Sequence, residues 1–182
     1  MALLLTLEPA QLVFVDEAGA RIDMTRTHGR CARGLRLVEA VPRNRGRVTT
    51  ILGALTLKGL VAHMSVQGGT RGEVFERFVQ EKLLPVLQPG QVVVWDNLAA
   101  HKRRQVREAL EAHGCRVVFL PPYSPEFNPI EEAWSKLKAL LRKMAARTVE
   151  ALQAAIEEAV TRLTAADAQG WFTHCGYSAQ PD

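Results

Sequence analysis

Three acidic residues stand where their side chains can do chemistry. Asp16 and Asp96 each directly follow a short apolar run that is typical of a buried strand, and Glu131 lies at the predicted start of a helix. Carboxylate oxygens without neighbouring histidine or cysteine are hard ligands that suit Mg²⁺ or Mn²⁺. Two such ions, about 3.5–4 Å apart, clamp the attacking and leaving oxygens of a phosphodiester. The three acids therefore indicate metal-dependent phosphoryl transfer.

The loop that precedes Glu131 is stiff because it is rich in proline. Residues 121–129 contain four prolines, each of which fixes its own φ and restricts the residue before it. Asn128 suits the N-cap of a helix, Pro129 suits its first position, and Glu131 then falls at the third. We predict that this arrangement holds the Glu131 carboxylate still.

Each of these acids also has a purely structural interpretation. Aspartate after a strand is a common turn residue. Glutamate at the third helical position stabilises a helix start as half of a capping box. Glu17, Glu126 and Glu132 compete for the same chemical role, and position alone does not exclude them.

Hydrophobic periodicity predicts the elements that must position these acids. We expect strands at residues 11–16, 20–27, 47–57, 60–66, 91–95 and 116–120, with a turn at residues 17–19. We expect helices after a Thr70–Glu73 capping box, over residues 102–113, and after caps at Asn128, Thr148 and Thr164. An antiparallel meander followed by helix-connected strands indicates an α/β fold with one mixed sheet, the order found in the ribonuclease-H-like fold.

Composition is typical of a single soluble domain. The chain has 182 residues, of which 47% are hydrophobic and 23% charged, and no apolar run approaches the length of a membrane span. Its three cysteines, Cys31, Cys115 and Cys175, are odd in number and widely spaced. They argue for a reducing cytoplasm over a disulfide framework, and without a C-x-x-C pair they argue against zinc.

Three sequence blocks resemble the catalytic blocks of DDE transposases. The blocks are Val-Asp-Glu-Ala-Gly at residues 15–19, Trp-Asp-Asn-Leu-Ala-Ala-His-Lys at residues 95–102, and Leu-Pro-Pro-Tyr-Ser-Pro through Asn-Pro-Ile-Glu at residues 120–131, followed by Trp134. The gap of 34 residues between Asp96 and Glu131 is the spacing expected in the mariner superfamily. The match is to the bacterial insertion-sequence branch of that superfamily and covers about residues 10–165.

The resemblance implies roles for the matching residues. Asp16, Asp96 and Glu131 would be the catalytic metal ligands for two Mg²⁺ or Mn²⁺ ions, while Asn97 and His101 would orient Asp96 or touch the substrate. The implied activity is cleavage and strand transfer of DNA during transposition. The implied assembly is a homodimer on paired transposon ends, in the bacterial cytoplasm and associated with the nucleoid when active.

One departure from the family pattern affects the expected function. The helix-turn-helix region that precedes the catalytic domain in this family is missing, so residues 1–182 are expected to be a single catalytic domain. A helix-turn-helix product of an upstream reading frame is then an expected partner. The alternative is a catalytically silent or regulatory fragment that binds DNA or full-length transposase, and a general nuclease of the same fold is a further rival.

Basic residues cluster in three places and predict contact with DNA phosphates. Eight arginines lie between residues 21 and 47, a second cluster spans residues 102–107, and a third spans residues 136–147. The third is equally consistent with a solvated helix face. Trp95 and Trp134 are expected to pack in the core rather than stack on bases. The residues predicted to contact DNA are Arg43, Arg45, Arg47, His101, Lys102, Arg103 and Arg104.

Overall fold

The computed structural model describes Leu4 and residues 6–96, 103–121 and 124–178. Short 3₁₀ turns lie at Pro9–Gln11 and Pro125–Phe127. Among the described residues, no helix is long and apolar enough to cross a membrane. The helices and strands, in chain order, are β1 (Leu12–Ala20), β2 (Thr49–Thr56), β3 (Gly59–Gln67), α1 (Gly72–Phe78), β4 (Val92–Trp95), α2 (Arg104–Ala112), β5 (Arg116–Phe119), α3 (Pro129–Met144), α4 (Val149–Val160) and α5 (Ala165–His174).

The five strands form one mixed sheet in the order β3-β2-β1-β4-β5. β1 pairs antiparallel with β2, and β2 pairs antiparallel with β3, whereas β1 pairs parallel with β4 and β4 with β5. Parallel neighbours need a crossover connection, which α1 and α2 provide. The predicted α/β architecture, a meander followed by helix-connected strands, is confirmed. β1 is the strand at which the two kinds of pairing meet.

Helices cover both faces of the sheet. Leu12 and Phe14 of β1 point into the core formed with α3, α4 and α5, while Val13 and Val15 point into the core formed with α1 and α2. A strand buried on both faces is apolar throughout, which explains the continuous apolar run before Asp16. Any residue of β1 can therefore be assigned to one core or the other by alternation.

The first strand is longer than the sequence predicted. Residues 17–19 do not turn, because Glu17 lies opposite Leu52 and Gly19 lies opposite Thr50 in the antiparallel ladder with β2. Pairing with a distant strand overrides the local turn preference of these residues. The predicted strand at residues 20–27 is also wrong, since residues 21–48 contain no strand.

The predicted capping box at the start of α1 is wrong. α1 begins at Gly72, its N-cap is Arg71 without a side-chain cap, and the Thr70 hydroxyl is buried without a hydrogen-bond partner in the part of the chain that the structure describes. The Arg103 side chain lies over the first residue of α1. A Cβ added at Gly72 would come within 2.8 Å of the Arg103 side chain. The caps predicted at Thr148 and Thr164 are confirmed, with a complete capping box at Thr164.

Candidate active site

Asp16 lies within β1 and not at its end, which corrects the sequence prediction. The strand continues past Asp16 in its pairing with β2, whereas the parallel pairing with β4 stops near this point, with Phe14 opposite Val94. Carrying that register two residues further places Asp16 beside Asp96, which directly follows β4. The two strands are adjacent and parallel, which brings Asp16 and Asp96 to the same edge of the sheet.

Glu131 lies in the first turn of α3, and its side chain is exposed. α3 begins at Pro129 as predicted, and the Glu131 amide donates to the Asn128 carbonyl at 3.0 Å. The Asn128 side chain, however, makes no cap hydrogen bond, and its Oδ1 is buried without a partner among the described residues. Asn128 thus occupies the N-cap position, but the predicted capping by its side chain is wrong.

The Asp16 carboxyl group is strongly perturbed. Burial, and to a lesser extent the negative charges of Glu131 and Asp96, raise its pKa from 3.8 to about 7. The backbone N–H of Glu17 and the indole of Trp134 act in the opposite direction. Desolvation and like charges both disfavour a carboxylate. Asp96 and Glu131 therefore both lie within electrostatic reach of Asp16.

The donor set fits a divalent cation by charge and by atom type. Three carboxylates supply hard oxygen ligands, and a cation beside them would lower the pKa of Asp16 and favour its ionised form. Within the described part of the chain, no group of three or more His, Cys, Asp or Glu side chains converges closely enough to form a finished metal site. The acids thus face the same region without forming a closed ligand cage.

The competing acids point elsewhere. Glu17 follows Asp16 in β1, so its side chain projects from the opposite face of the sheet. Glu132 lies 4.0 Å from His174. Burial raises the pKa of the Cys175 thiol, and the charge of Glu132 is a second, smaller cause. Glu126 is exposed in the 3₁₀ turn before α3. The charges that raise the pKa of Asp16 are those of Glu131 and Asp96.

Trp134 and Gly53 shape the surroundings of Asp16 in a way that the sequence analysis missed. Gly53 lies directly opposite Asp16, and a Cβ there would come within 2.5 Å of the Trp134 ring and 3.0 Å of Leu60. Because Gly53 has no side chain, the indole of Trp134 can pack beside the Asp16 carboxylate. Trp134 is in the core as predicted. Its N–H meets no acceptor at full hydrogen-bond geometry among the described residues, yet it lowers the pKa of Asp16. A glycine inside a strand was the available signal.

Tyr177 connects the two elements that carry Asp16 and Glu131. Its ring packs against Phe14, two residues before Asp16, with ring centroids 5.1 Å apart. Its hydroxyl donates to the Phe127 carbonyl at 2.8 Å, four residues before Glu131. A residue from the end of the described chain therefore holds the turn before α3 against β1.

The residues predicted to contact DNA are distributed over several parts of the molecule. Arg43, Arg45 and Arg47 are exposed in the segment of residues 21–48, where Arg45 Nε lies 3.5 Å from Asp23 Oδ2. Their role in DNA binding stays a prediction. Asn97, His101 and Lys102 lie outside the described residues.

Arg103 and Arg104 are engaged in ion pairs. Arg103 Nη1 lies 2.9 Å from Glu76 Oε2, and Arg104 Nε lies 2.6 Å from Glu108 Oε1. Much of their charge is therefore balanced within the protein. Contact between these two arginines and DNA also stays a prediction.

Comparison with known families identifies the chain. Residues 11–153, most of the sequence, match the DDE superfamily endonucleases. The chain belongs to this family. No curated protein sequence matches it.

Solved structures share the fold of this DDE endonuclease. A pre-cleavage Mos1 transpososome aligns with a TM-score of 0.70 and 18% identity, covering 96% of this chain and 57% of that one. A Mos1 paired-end complex with the left transposon end gives a TM-score of 0.73 and 17% identity, covering 96% and 56%. The Mos1 catalytic domain with Raltegravir and Mg gives 0.61 and 15%, covering 92% and 79%. The predicted ribonuclease-H-like fold is confirmed, and the chain spans a little over half the length of the first two relatives.

Replacing Gly53 with alanine should destabilise the protein by about 1–3 kcal/mol, because the added methyl group overpacks the Trp134 ring. Urea denaturation of the purified variant measures this. Gly170→Ala is the matched control, since a Cβ at Gly170 in α5 meets nothing within 4 Å and alanine favours a helix. Equal stability of the Gly53→Ala variant and the wild type would contradict the packing described.

The raised pKa of Asp16 predicts a pH-dependent stability in metal-free buffer. Below pH 3.8 the group is protonated in both the folded and the unfolded state. Between pH 3.8 and about 7 the unfolded chain releases the proton while the folded chain keeps it, so stability falls with rising pH by about 4 kcal/mol. Above that range the carboxyl group is ionised in both states, so the loss of stability no longer changes with pH.

Asp16→Asn isolates this contribution because asparagine does not titrate. The difference in unfolding free energy between wild type and variant, measured by urea denaturation with chelator at several pH values, should shift in favour of the variant from pH 4 to pH 7. A difference that is independent of pH would rule out the perturbed carboxyl group.

Tyr177→Phe should remove one hydrogen bond, cost about 1 kcal/mol, and speed hydrogen exchange at the amides of Phe127 and Asn128. Those amides close the 3₁₀ turn before α3. Thr50→Val is the control, since it removes a hydroxyl that donates to the Gly68 carbonyl at 2.6 Å. If both variants left exchange in the turn unchanged, Tyr177 would not hold it.

Proposed function

We propose that this chain is the catalytic domain of a DNA transposase that cuts a DNA strand and joins the freed 3′-hydroxyl to target DNA. The observation that carries the proposal is the perturbed carboxyl group of Asp16, whose pKa responds to the charges of Asp96 and Glu131. Membership of the DDE endonuclease family supports it. Further support is the shared fold with Mos1 complexes, which contain transposon ends and Mg or Mn.

We assign the metal ligands to Asp16, Asp96 and Glu131. Divalent ions held there would supply the charge that activates the attacking oxygen and stabilises the leaving oxygen of the phosphodiester. Asp16 presents its carboxylate from the centre of the sheet, with one oxygen oriented by the Glu17 amide. Glu131 presents its carboxylate from a helix start held by prolines and by Tyr177. Such chemistry depends on placement, because an error of about 1 Å can reduce the rate a hundredfold.

The reaction proceeds in two steps with the same residues. Water attacks the phosphodiester at the element end, the bond to the leaving 3′-oxygen breaks, and that oxygen takes a proton. The 3′-hydroxyl then loses its proton and attacks a target phosphodiester, so that a new bond to phosphorus forms as the bond to the target strand's own 3′-oxygen breaks, and that oxygen takes a proton. Neither step requires a covalent link to the protein or a nucleotide cofactor.

The proposed partners are DNA and a second copy of the chain. We infer a homodimer on paired DNA ends, because paired-end complexes of Mos1 share this fold. We propose that a helix-turn-helix region acting with this domain reads the specific DNA end. We place the protein in the bacterial cytoplasm, with the chromosome, because DNA is its proposed substrate.

Asp16→Asn, Asp96→Asn and Glu131→Gln should each reduce Mn²⁺-dependent nicking of supercoiled plasmid by at least about a hundredfold, as loss of a metal ligand removes the charge that drives the chemistry. Gel separation of nicked from supercoiled plasmid measures the rate. Joining of an oligonucleotide with a free 3′-hydroxyl to the plasmid measures strand transfer.

Glu132→Gln is the matched control, because it neutralises the adjacent exposed acid, which faces His174 instead of Asp16. It should keep near wild-type nicking. A folded Glu131→Gln variant with full activity would reject the ligand assignment. Nicking without any joining would favour the general nuclease, and a wild-type chain that binds DNA without nicking would favour the silent regulatory fragment.

A further inference from the structure

The outer surface of α3 and the segment of residues 21–48 line two adjoining basic cavities that are open to solvent. One has a volume of about 360 Å³ and is lined by Gly19, Arg21, Met24, Val48, Lys138 and Arg142. The other has a volume of about 400 Å³ and is lined by Arg26, Thr27, His28, Ala139, Arg142 and Lys143. Arg142 lines both. We call this surface, with Arg21, Arg26, Lys138, Arg142 and Lys143, the basic groove.

The charge of the basic groove is largely uncompensated. Arg21 pairs with Asp23 at 3.2 Å, but the other four cations have no ion-pair partner among the residues that the structure describes. By contrast, Arg103 and Arg104 each have an acidic partner. Clustered cations without acids repel one another and favour a polyanion.

The groove is built before any ligand arrives. Arg147 Nη1 donates to the carbonyls of Ile22 and Met24 at 3.1 and 2.7 Å, and its Nη2 donates to Glu39 at 3.1 Å. These bonds hold the segment of residues 21–48 against the end of α3. Arg147 therefore has a structural role beside the groove. Because the two sides of the groove are already held in place, less conformational entropy is lost when a ligand binds.

The groove extends directly from the acidic site. Lys138 and Arg142 follow Glu131 by seven and eleven residues, spacings that keep them near the same face of a helix. At a rise of 1.5 Å per residue they lie about 10 and 16 Å from Glu131 along α3. β1 runs beside α3 from Asp16 to the groove residue Gly19. Since phosphates recur about every 3.4 Å along each strand of a duplex, this distance spans about three to five nucleotides.

We propose that the basic groove binds the phosphate backbone of duplex DNA beside the scissile phosphate. Two cavities in a row match a chain of phosphates better than a single small anion, and a line of Arg and Lys contacts positions DNA without reading its sequence. The inference rests on the proposed function for its choice of polyanion. It assigns to Lys138, Arg142 and Arg26 the task of aligning the strand that the acids act on.

The test compares two charge-matched double variants by fluorescence anisotropy on a 30-base-pair duplex in metal-free buffer, over a range of salt concentrations. Lys138→Gln with Arg142→Gln should weaken binding and reduce the slope of log affinity against log salt by about 2, near 0.9 for each lost phosphate contact. Lys82→Gln with Arg162→Gln removes two exposed charges outside the three basic clusters. Lys82 lies in the helical segment Val79–Leu83, which packs on the sheet face opposite α3, and Arg162 is paired with Glu158. This control should leave the slope nearly unchanged.

An unchanged slope in the groove variant, or an equal change in the control, would overturn the inference. Circular dichroism and thermal melting check that the groove variant folds, and Arg26→Gln, in the irregular segment, provides a second variant that leaves α3 intact. A different experimental result would contradict the proposed function. A wild-type chain whose DNA binding depends on the groove but which never nicks plasmid with Mn²⁺ would contradict the catalytic assignment and support the groove.

Discussion

The burial of a carboxylate at the centre of the sheet is the constraint on which the rest of the site depends. Asp16 sits where parallel pairing with β4 stops and antiparallel pairing with β2 continues, so one side of β1 opens towards Asp96. Burial and two neighbouring charges oppose its ionisation. Such a group is costly to keep in a fold unless a proton or a cation balances it, and this cost makes the region suited to binding positive charge.

The surroundings of Asp16 are rigid by construction. Gly53 lies opposite Asp16 and has no side chain, so the Trp134 ring packs directly over the Gly53 backbone. Tyr177 holds the turn that leads into α3 against Phe14. Each contact joins elements that are far apart in the chain, so the positions of Asp16 and Glu131 are set by packing and not by local chain geometry alone. Chemistry that relies on placement requires this kind of support.

Local pairing decides which basic residues remain available to a polyanion. The arginines at the start of α2 are matched by acids one turn away or on α1. The cations on the outer face of α3 have no such partners among the described residues, and the segment of residues 21–48 brings further arginines beside them. An acidic centre and a basic surface thus lie along the same helix, with opposite charges at its two ends.

The sequence alone predicted the mixed sheet, the three candidate acids and the start of α3, because apolar runs, proline and glycine act locally and leave a periodic record. It could not determine that β1 continues through residues 17–19, since pairing with the distant strand β2 overrides the local turn preference. Nor did it reveal that the Thr70 and Asn128 side chains leave their helices uncapped. The roles of Gly53 and Tyr177 were likewise decided by the tertiary structure. Each acts through a contact with a side chain or carbonyl many residues away, and only the packed fold brings those atoms together.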